Sequence, residues 1–235
     1  MNMKVLGLIA GMLLSVTGAA FANGETKFAI RVENISKPDA FTASNGTKWS
    51  LAFSPGTAIV HSDKAPVFSE GQKDRGKGLE AQAEDGNPAM LAKSLTGAKG
   101  VKSVVVYNTP LGLSSPAPIT PGAAYEATFS AMPGDKLSMT LMMGQSNDWF
   151  YAPGEAGIEL FKDGKAISGD ISAQLMLWDA GTEVDQEPGI GSDQGPRQKG
   201  PNTGKAENGM VKKVADGKSY ADAAKVLRVL IQPIK

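Results

Sequence analysis

The sequence contains 235 residues with 24 basic and 24 acidic side chains, so its formal net charge at pH 7 is zero. A balanced charge provides no electrostatic attraction to nucleic acid or to an anionic membrane surface. Cysteine is absent and His61 is the single histidine, which excludes disulfide scaffolds and thiolate zinc sites and leaves few ligands for other transition metals.

Residues 1–22 have the pattern of a secretory signal peptide. Lys4 provides a short basic region, residues 5–16 form an apolar stretch, and a small-x-small cleavage site follows at residues 20–22. The apolar stretch is shorter than a membrane-spanning helix requires. We therefore expect export to the periplasm or the exterior, followed by a mature domain over residues 23–235 without a transmembrane anchor.

The first part of the mature domain shows the alternation that is typical of β-strands. Residues 26–35 alternate between apolar and charged side chains, which predicts a half-buried antiparallel strand. A second strand is predicted over residues 49–53 and ends at Pro55-Gly56, and residues 57–60 can continue it.

Apolar residues recur at helical spacing between residues 66 and 99. Residues 79–84 fit a short helix that Asp85-Gly86 closes. Asn87-Pro88 resembles an N-cap followed by proline at the first helical position, and Gly97 lies where a C-terminal cap belongs. We therefore expect two short helices within one connection.

The second half of the chain returns to strand patterns, and Asp163-Gly164 is a hairpin turn signal. About eight strands in all predict a single all-β domain, an antiparallel β-sandwich. Residues 184–218 are rich in glycine, proline and polar side chains, so we expect a long polar loop that is functional or mobile. The predicted strands of this half cover residues 101–107, 125–129, 136–143, 158–161, 165–167, 171–178 and 225–234.

Two motifs place a large aromatic residue beside a carboxylate at the end of an apolar stretch. Asp148 precedes a tryptophan, and Asp179 follows one. Glu183 lies four residues after Asp179 with Gly181 between them, so the backbone can fold back and bring both carboxylates together. Three like charges in one loop cluster need a counter-ion, and calcium accepts carboxylate oxygens in flexible loop sites. The alternative is that these residues are solvated loop acids.

Motifs of several enzyme classes fail at specific positions. Residues 189–195 are one residue too long for a dinucleotide fingerprint, and residues 200–205 are one residue short of a P-loop. Residues 144–148 lack the second glycine of a nucleophile elbow. His61 with Asp63 leaves a serine–histidine–aspartate triad open, although a lone histidine after a strand more often has a hydrogen-bonded structural role.

Several stretches match a known family in order and separation. They are residues 28–34, 53–71 and 79–86 and, most specifically, the motifs Ser146-Asn147-Asp148-Trp149-Phe150 and Trp178-Asp179-Ala180-Gly181-Thr182-Glu183. With these stretches the chain resembles the spondin domain, the module of F-spondin and mindin that also occurs as a stand-alone secreted protein in bacteria. The resemblance extends over residues 26–234.

The resemblance implies a sandwich of the calcium- and lipid-binding type with a metal site in the loops at one end. In animal members the acid of the first motif and both acids of the second hold calcium, which correspond here to Asp148, Asp179 and Glu183. Glu183 stands where aspartate is more usual. The cysteines and thrombospondin-type repeats of animal members are absent from this sequence, so integrin or matrix binding is not carried over.

These features predict a secreted or periplasmic bacterial protein that binds calcium and serves as a recognition or adhesion module without catalytic residues. Its expected partner is a protein or glycan at the cell surface or in the periplasm. The alternative from another class is a secreted metal-assisted hydrolase that cleaves a glycan or ester with the same carboxylates.

Overall fold

The computed structural model describes residues 24–63 and 66–235 of the chain. The predicted signal peptide lies outside the described residues. The strands, in chain order, are β1 (Thr26–Asn34), β2 (Phe41–Thr42), β3 (Lys48–Trp49), β4 (Phe53–His61), β5 (Val101–Tyr107), β6 (Ala124–Ala131), β7 (Lys136–Met143), β8 (Trp149–Pro153), β9 (Ile158–Glu159), β10 (Phe161–Lys162), β11 (Lys165–Ala166), β12 (Gly169–Asp170), β13 (Leu175–Asp179), β14 (Lys212–Lys213) and β15 (Leu227–Ile234). The α-helices are α1 (Leu79–Glu84), α2 (Ala89–Leu95) and α3 (Ala223–Val226).

The strands form two main antiparallel sheets that share one apolar core. The smaller sheet has the order β12-β15-β1-β6, and the larger has the order β14-β13-β8-β7-β4-β5, with β9 also paired to β7. Buried side chains from both sheets belong to the same cluster. Among the described residues, eight strands are five or more residues long, which agrees with the predicted all-β sandwich of about eight strands.

The larger sheet is buried on both faces. Its inner face packs on the smaller sheet, and its outer face carries a second apolar cluster that includes side chains of α1 and α2. Since side chains alternate along a strand, Trp149 and Leu177 belong to the inner cluster, whereas Phe150 and Trp178 belong to the outer one. Burial on both faces explains why Ser138 and Thr140, which alternate with the apolar residues of β7, are buried as well.

The prediction of a strand over residues 49–53 that ends at Pro55-Gly56 is wrong. The strand β4 begins at Phe53 and continues through Pro55-Gly56, with a shift of register against β7 at this point. A Cβ atom at Gly56 would overlap the backbone carbonyl oxygen of Thr140 on β7. This glycine therefore permits close approach of two strands, and it does not form a turn.

The predicted helices and hairpin are present. The helices α1 and α2 lie in the connection between β4 and β5. Asp163 and Gly164, with φ of 50° and 70°, join β10 to β11, as the type I′ turn requires. Two predicted strands begin later than expected, because a 3₁₀ helix occupies Ser172–Gln174 and α3 precedes β15. Among the described residues, none of the helices has the length and apolar character needed to cross a bilayer.

Candidate metal centre

The two aromatic–acid motifs meet at one end of the larger sheet. The strands β8 and β13 are adjacent and antiparallel, and their register pairs Trp149 with Asp179 and Phe150 with Trp178. Asp148 directly precedes β8, and its carbonyl oxygen accepts a hydrogen bond from the backbone nitrogen of Ala180 at 3.2 Å, so the same ladder brings both aspartates to one end of the sheet. The two tryptophans are buried on opposite faces of the sheet. Strand pairing therefore brings the two aspartates to the same end of the sheet, and hydrogen bonds from the loop after β13 hold their carboxylates there.

Three carboxylates converge at this point, those of Asp148, Asp179 and Glu207. One oxygen of each lies within 4.8 Å of the others. Asp148 is fully buried, Asp179 is 2% exposed and Glu207 is partly exposed. Within the described part of the chain, Asp148 Oδ1 and Glu207 Oε2 are buried without a hydrogen-bond partner. Such oxygens are costly to bury, and a cation would satisfy them.

The loop after β13 donates hydrogen bonds to one carboxylate oxygen of each aspartate. Asp148 Oδ2 accepts hydrogen bonds from the backbone nitrogen of Thr182 at 2.7 Å, from its hydroxyl at 3.1 Å and from the backbone nitrogen of Glu183 at 3.1 Å. Asp179 Oδ1 accepts a hydrogen bond from the backbone nitrogen of Gly181 at 2.7 Å. Each aspartate therefore fixes the loop with one oxygen and keeps a second oxygen that this loop does not engage.

Glu207 reaches the group through a short ladder between two loops. The backbone nitrogen of Glu207 donates to the carbonyl oxygen of Thr182 at 2.9 Å, and that of Gly209 donates to the carbonyl oxygen of Gly181 at 2.7 Å. Gly181 has a φ of +68°, and a Cβ atom there would lie 2.7 Å from the backbone nitrogen of Met210. Glycine alone adopts this positive φ without strain and leaves room for the backbone of Met210.

The carboxylate of Glu183 has a different neighbour. Its Oε1 accepts a hydrogen bond from Nδ2 of Asn147 at 3.1 Å, and burial raises its pKa. The structure thus brings Asp148 and Asp179 together and adds Glu207, while the backbone N–H of Glu183 supports Asp148. The role of Glu183 as a metal ligand stays a prediction.

The polar segment 184–218 contains the short strand β14 and is otherwise largely irregular, and hydrogen bonds hold it in place. Gln194 is fully buried, and its Oε1 accepts hydrogen bonds from the backbone nitrogens of Gly189 at 3.1 Å and Gly191 at 3.2 Å. No local sequence pattern in this segment identifies Glu207. Backbone hydrogen bonds to distant residues place it, and these bonds leave no mark on side-chain periodicity.

The group is strongly negative. Burial, followed by the charge of Asp179, raises the pKa of Asp148 to about 7. Asp185 is exposed as a whole residue, yet its carboxyl is partly buried against the site, and this burial together with Asp179 raises its pKa to about 6. Lys212 Nζ lies 3.0 Å from Asp179 Oδ2 and 3.5 Å from Glu207 Oε1, and the hydrogen bond with Asp179 raises its pKa. The site therefore favours bound positive charge.

The donor set fits a hard cation. Among the described residues, this group contains carboxylates only, without the imidazole or thiolate ligands that zinc prefers. Calcium takes six to eight oxygen ligands in flexible geometry, including backbone carbonyls and water. Asp148, Asp179 and Glu207 would hold such an ion, and it would supply the charge that their buried oxygens lack.

A further buried acid, Glu84 on α1, interacts with the loop of the site. Glu84 is 3% exposed, and burial raises its pKa to about 7. A hydrogen bond with Thr182 lowers this pKa, whereas the charges of Glu183, Glu80 and Asp85 raise it. Between about pH 4.5 and 7 the folded state keeps a proton that the unfolded state releases, so this group makes the fold less stable as the pH rises through that range.

Replacing Glu84 by glutamine is therefore expected to stabilise the fold at pH 8 by about 2 kcal/mol and to change it little near pH 4.5. Thermal unfolding in EDTA at the two pH values measures the effect without bound metal. Glu80→Gln, at a partly exposed position of the same helix, is the matched control and should change stability little at either pH. An equal stabilisation by Glu84→Gln at both pH values would contradict the buried charge as its cause.

His61 has a structural role. Its Nδ1 lies 2.6 Å from the backbone carbonyl oxygen of Asp63, its Nε2 lies 2.9 Å from Oγ of Ser138, and the residue is 1% exposed. Within the described part of the chain, its hydrogen-bond partners include no carboxylate oxygen. The triad with Asp63 is therefore not formed.

Comparison with known families agrees with the two motifs. The family model Spondin_N, which describes the spondin N-terminal domain, matches residues 26–217. This range includes both aromatic–acid motifs and all three carboxylates of the group. No curated protein matches the chain. The resemblance seen in the sequence is confirmed, and the chain belongs to the spondin N-terminal domain family.

Proposed function

We propose that this protein is an exported calcium-binding module that serves recognition or adhesion. The observation that carries the proposal is the group of Asp148, Asp179 and Glu207, in which two buried carboxylate oxygens lack partners. Membership of the spondin N-terminal domain family supports a recognition or adhesion role, since that family is not one of known enzymes. The signal-peptide pattern of residues 1–22 supports export.

A calcium ion in this group would link three separate stretches of chain. Asp148 precedes β8, Asp179 ends β13 and Glu207 belongs to the polar segment 184–218. An ion that binds only the folded state increases its stability, and ordered loops lose less conformational entropy when they bind a partner. Calcium would thereby preorganise the loops at this end of the sandwich for a protein or glycan.

The proposal predicts that calcium raises the melting temperature of residues 23–235 above its value in EDTA. At a calcium concentration of about 100 times Kd the stabilisation is about 2.7 kcal/mol, which for a domain of this size is on the order of 5–10 °C. Differential scanning calorimetry in EDTA, in calcium and in magnesium measures it. Magnesium should act more weakly, since it demands near-ideal octahedral geometry.

The absence of any calcium shift, or an equal shift with magnesium, would contradict a calcium site. A screen of ester and glycoside substrates on the same protein distinguishes a binding module from a metal-assisted hydrolase. A module is expected to show no calcium-dependent turnover, whereas turnover that requires Asp148 would favour the hydrolase.

A further inference from the structure

Lys212 reaches into the carboxylate group from the solvent side. The strand β14 pairs with β13 so that Lys212 lies opposite Asp179. Its Nζ lies 3.0 Å from Asp179 Oδ2 and 3.5 Å from Glu207 Oε1, although 56% of its side chain is exposed. One ammonium group therefore contacts two of the three carboxylates that would hold a cation.

The ammonium and a divalent cation compete for the same oxygens. Calcium binds oxygen at 2.3–2.6 Å, so an ion held by Asp179 and Glu207 would lie within a few ångströms of Lys212 Nζ if the lysine stayed in place. Two positive charges at that separation repel strongly in a partly buried site. Because the Lys212 side chain is more than half exposed, it can move into solvent without disturbing the core.

Among the described residues, the ammonium of Lys212 leaves one oxygen of the third carboxylate, that of Asp148, without a partner. Asp148 Oδ1 is fully buried, and within the described residues it has no hydrogen-bond partner, even with Lys212 bound to its neighbours. The ammonium thus neutralises the outer side of the group and leaves the inner oxygen unsatisfied. A cation with several ligand positions would satisfy both.

We propose that Lys212 is an internal competitor for the calcium site, and this inference rests on the proposed function. Its ammonium neutralises Asp179 and Glu207 when no divalent ion is bound, and it withdraws into solvent when calcium binds. Lys212 thereby stabilises the metal-free fold and lowers the affinity for calcium. The site consequently fills only where free calcium is high enough to displace the lysine.

The neighbouring Lys213 provides a matched control. Side chains alternate along β14, and Lys213 Nζ lies over the ring of Trp178, 5.4 Å from its centroid, instead of contacting the carboxylate group. Lys213→Met removes the same charge from the same two-residue strand. Any effect that depends only on net charge near this end of the sandwich should therefore appear in both variants.

Isothermal titration of the mature protein with calcium, together with melting temperatures in EDTA, tests the inference. Lys212→Met should lower the Kd for calcium by about tenfold, roughly 1.4 kcal/mol, and should lower the melting temperature in EDTA. Lys213→Met should leave Kd within about twofold of the wild type, and Lys212→Arg, which keeps the charge, should not gain affinity.

The outcomes separate this inference from the proposed function. If the wild type binds calcium and Lys212→Met binds it equally or more weakly, Lys212 is not a competitor, although the calcium site stands. If neither protein binds calcium, both proposals fail. If only Lys212→Met binds calcium, the lysine closes the site completely in the wild type, which supports the competition.

Discussion

Replacing Asp148 by asparagine should abolish the calcium-dependent rise in melting temperature while leaving the protein in EDTA at least as stable as the wild type. The amide oxygen can still accept the hydrogen bonds from Thr182 and Glu183 that the carboxylate accepts now. Its NH₂ group would replace the unpartnered Oδ1 and can donate to the neighbouring carboxylates. Loss of one charged ligand should weaken calcium binding, because the affinity of oxygen-ligand sites depends on the number of charged ligands.

Asp148→Asn is informative because it should remove the stabilisation by calcium without lowering the stability in EDTA. A structural role alone would lower stability in EDTA, whereas removal of a buried charge, whose pKa is raised to about 7 in the fold, should not. Calorimetric melting in EDTA and in calcium measures both effects. Asp163→Asn, in the exposed turn between β10 and β11, removes one acid outside the group and should keep the full calcium shift. A shift that persists in Asp148→Asn would remove this residue from the site.

The same measurement compares the ligand set implied by the family with the group seen in the structure. Glu207→Gln should reduce the calcium shift if Glu207 is a ligand, since its Oε2 is one of the unpartnered oxygens. Glu183→Gln should reduce it less, because the Glu183 carboxylate is hydrogen-bonded to Asn147. The reverse order would favour the set of Asp148, Asp179 and Glu183.

Replacing Gly181 by alanine is expected to destabilise the domain by about 3–4 kcal/mol, the sum of backbone strain and of overpacking by the added Cβ atom. Its φ of +68° costs an L-residue about 1–2 kcal/mol. The added Cβ would also lie 2.7 Å from the backbone nitrogen of Met210 and would push the two loops apart. The hydrogen bond from Gly209 to the Gly181 carbonyl would then weaken, and Glu207 would leave the group.

Urea unfolding measures this loss, and calcium titration should show weaker binding in the same variant. Gly217→Ala is the control, because Gly217 also has a positive φ of +74° but a Cβ there would meet no atom within 4 Å. It should cost only the backbone strain, about 1–2 kcal/mol. Equal losses in the two variants would show that the contact with Met210 has no energetic importance.

The parts of the fold that depend on local pattern could be predicted from the sequence. The apolar residues of β1 lie on one buried face, as their alternation predicts, because this side of the strand packs on the larger sheet. The hairpin turn at Asp163-Gly164 was predictable because only a few residue pairs adopt its two positive φ angles. Asp148 and Asp179 could be grouped because each follows or precedes a tryptophan that a strand buries.

The parts that depend on contacts distant in sequence could not be predicted. Pro55-Gly56 is typical of a turn, yet the approach of Thr140 on a neighbouring strand requires the glycine within β4. Glu207 lies in a polar segment where backbone bonds to Thr182 decide its position. Neither contact leaves a periodic signal, since both involve main-chain atoms of residues far away along the chain.

The way the polar segment 184–218 is attached has a consequence for how the domain opens. Within this segment, Val211 is fully buried in the outer apolar cluster, Ile190 and Val214 pack partly buried against the inner one, and hydrogen bonds join the segment to neighbouring loops. Roughly sixty residues separate Asp148 from Glu207 along the chain, and the sequence has no cysteine. Noncovalent contacts alone therefore hold Glu207 beside Asp148. Detachment of the segment would expose far fewer apolar side chains than unfolding of the sandwich, and we expect its free energy to be lower than that of global unfolding. We therefore expect local detachment, rather than melting of the sandwich, to set how often Glu207 leaves the two aspartates.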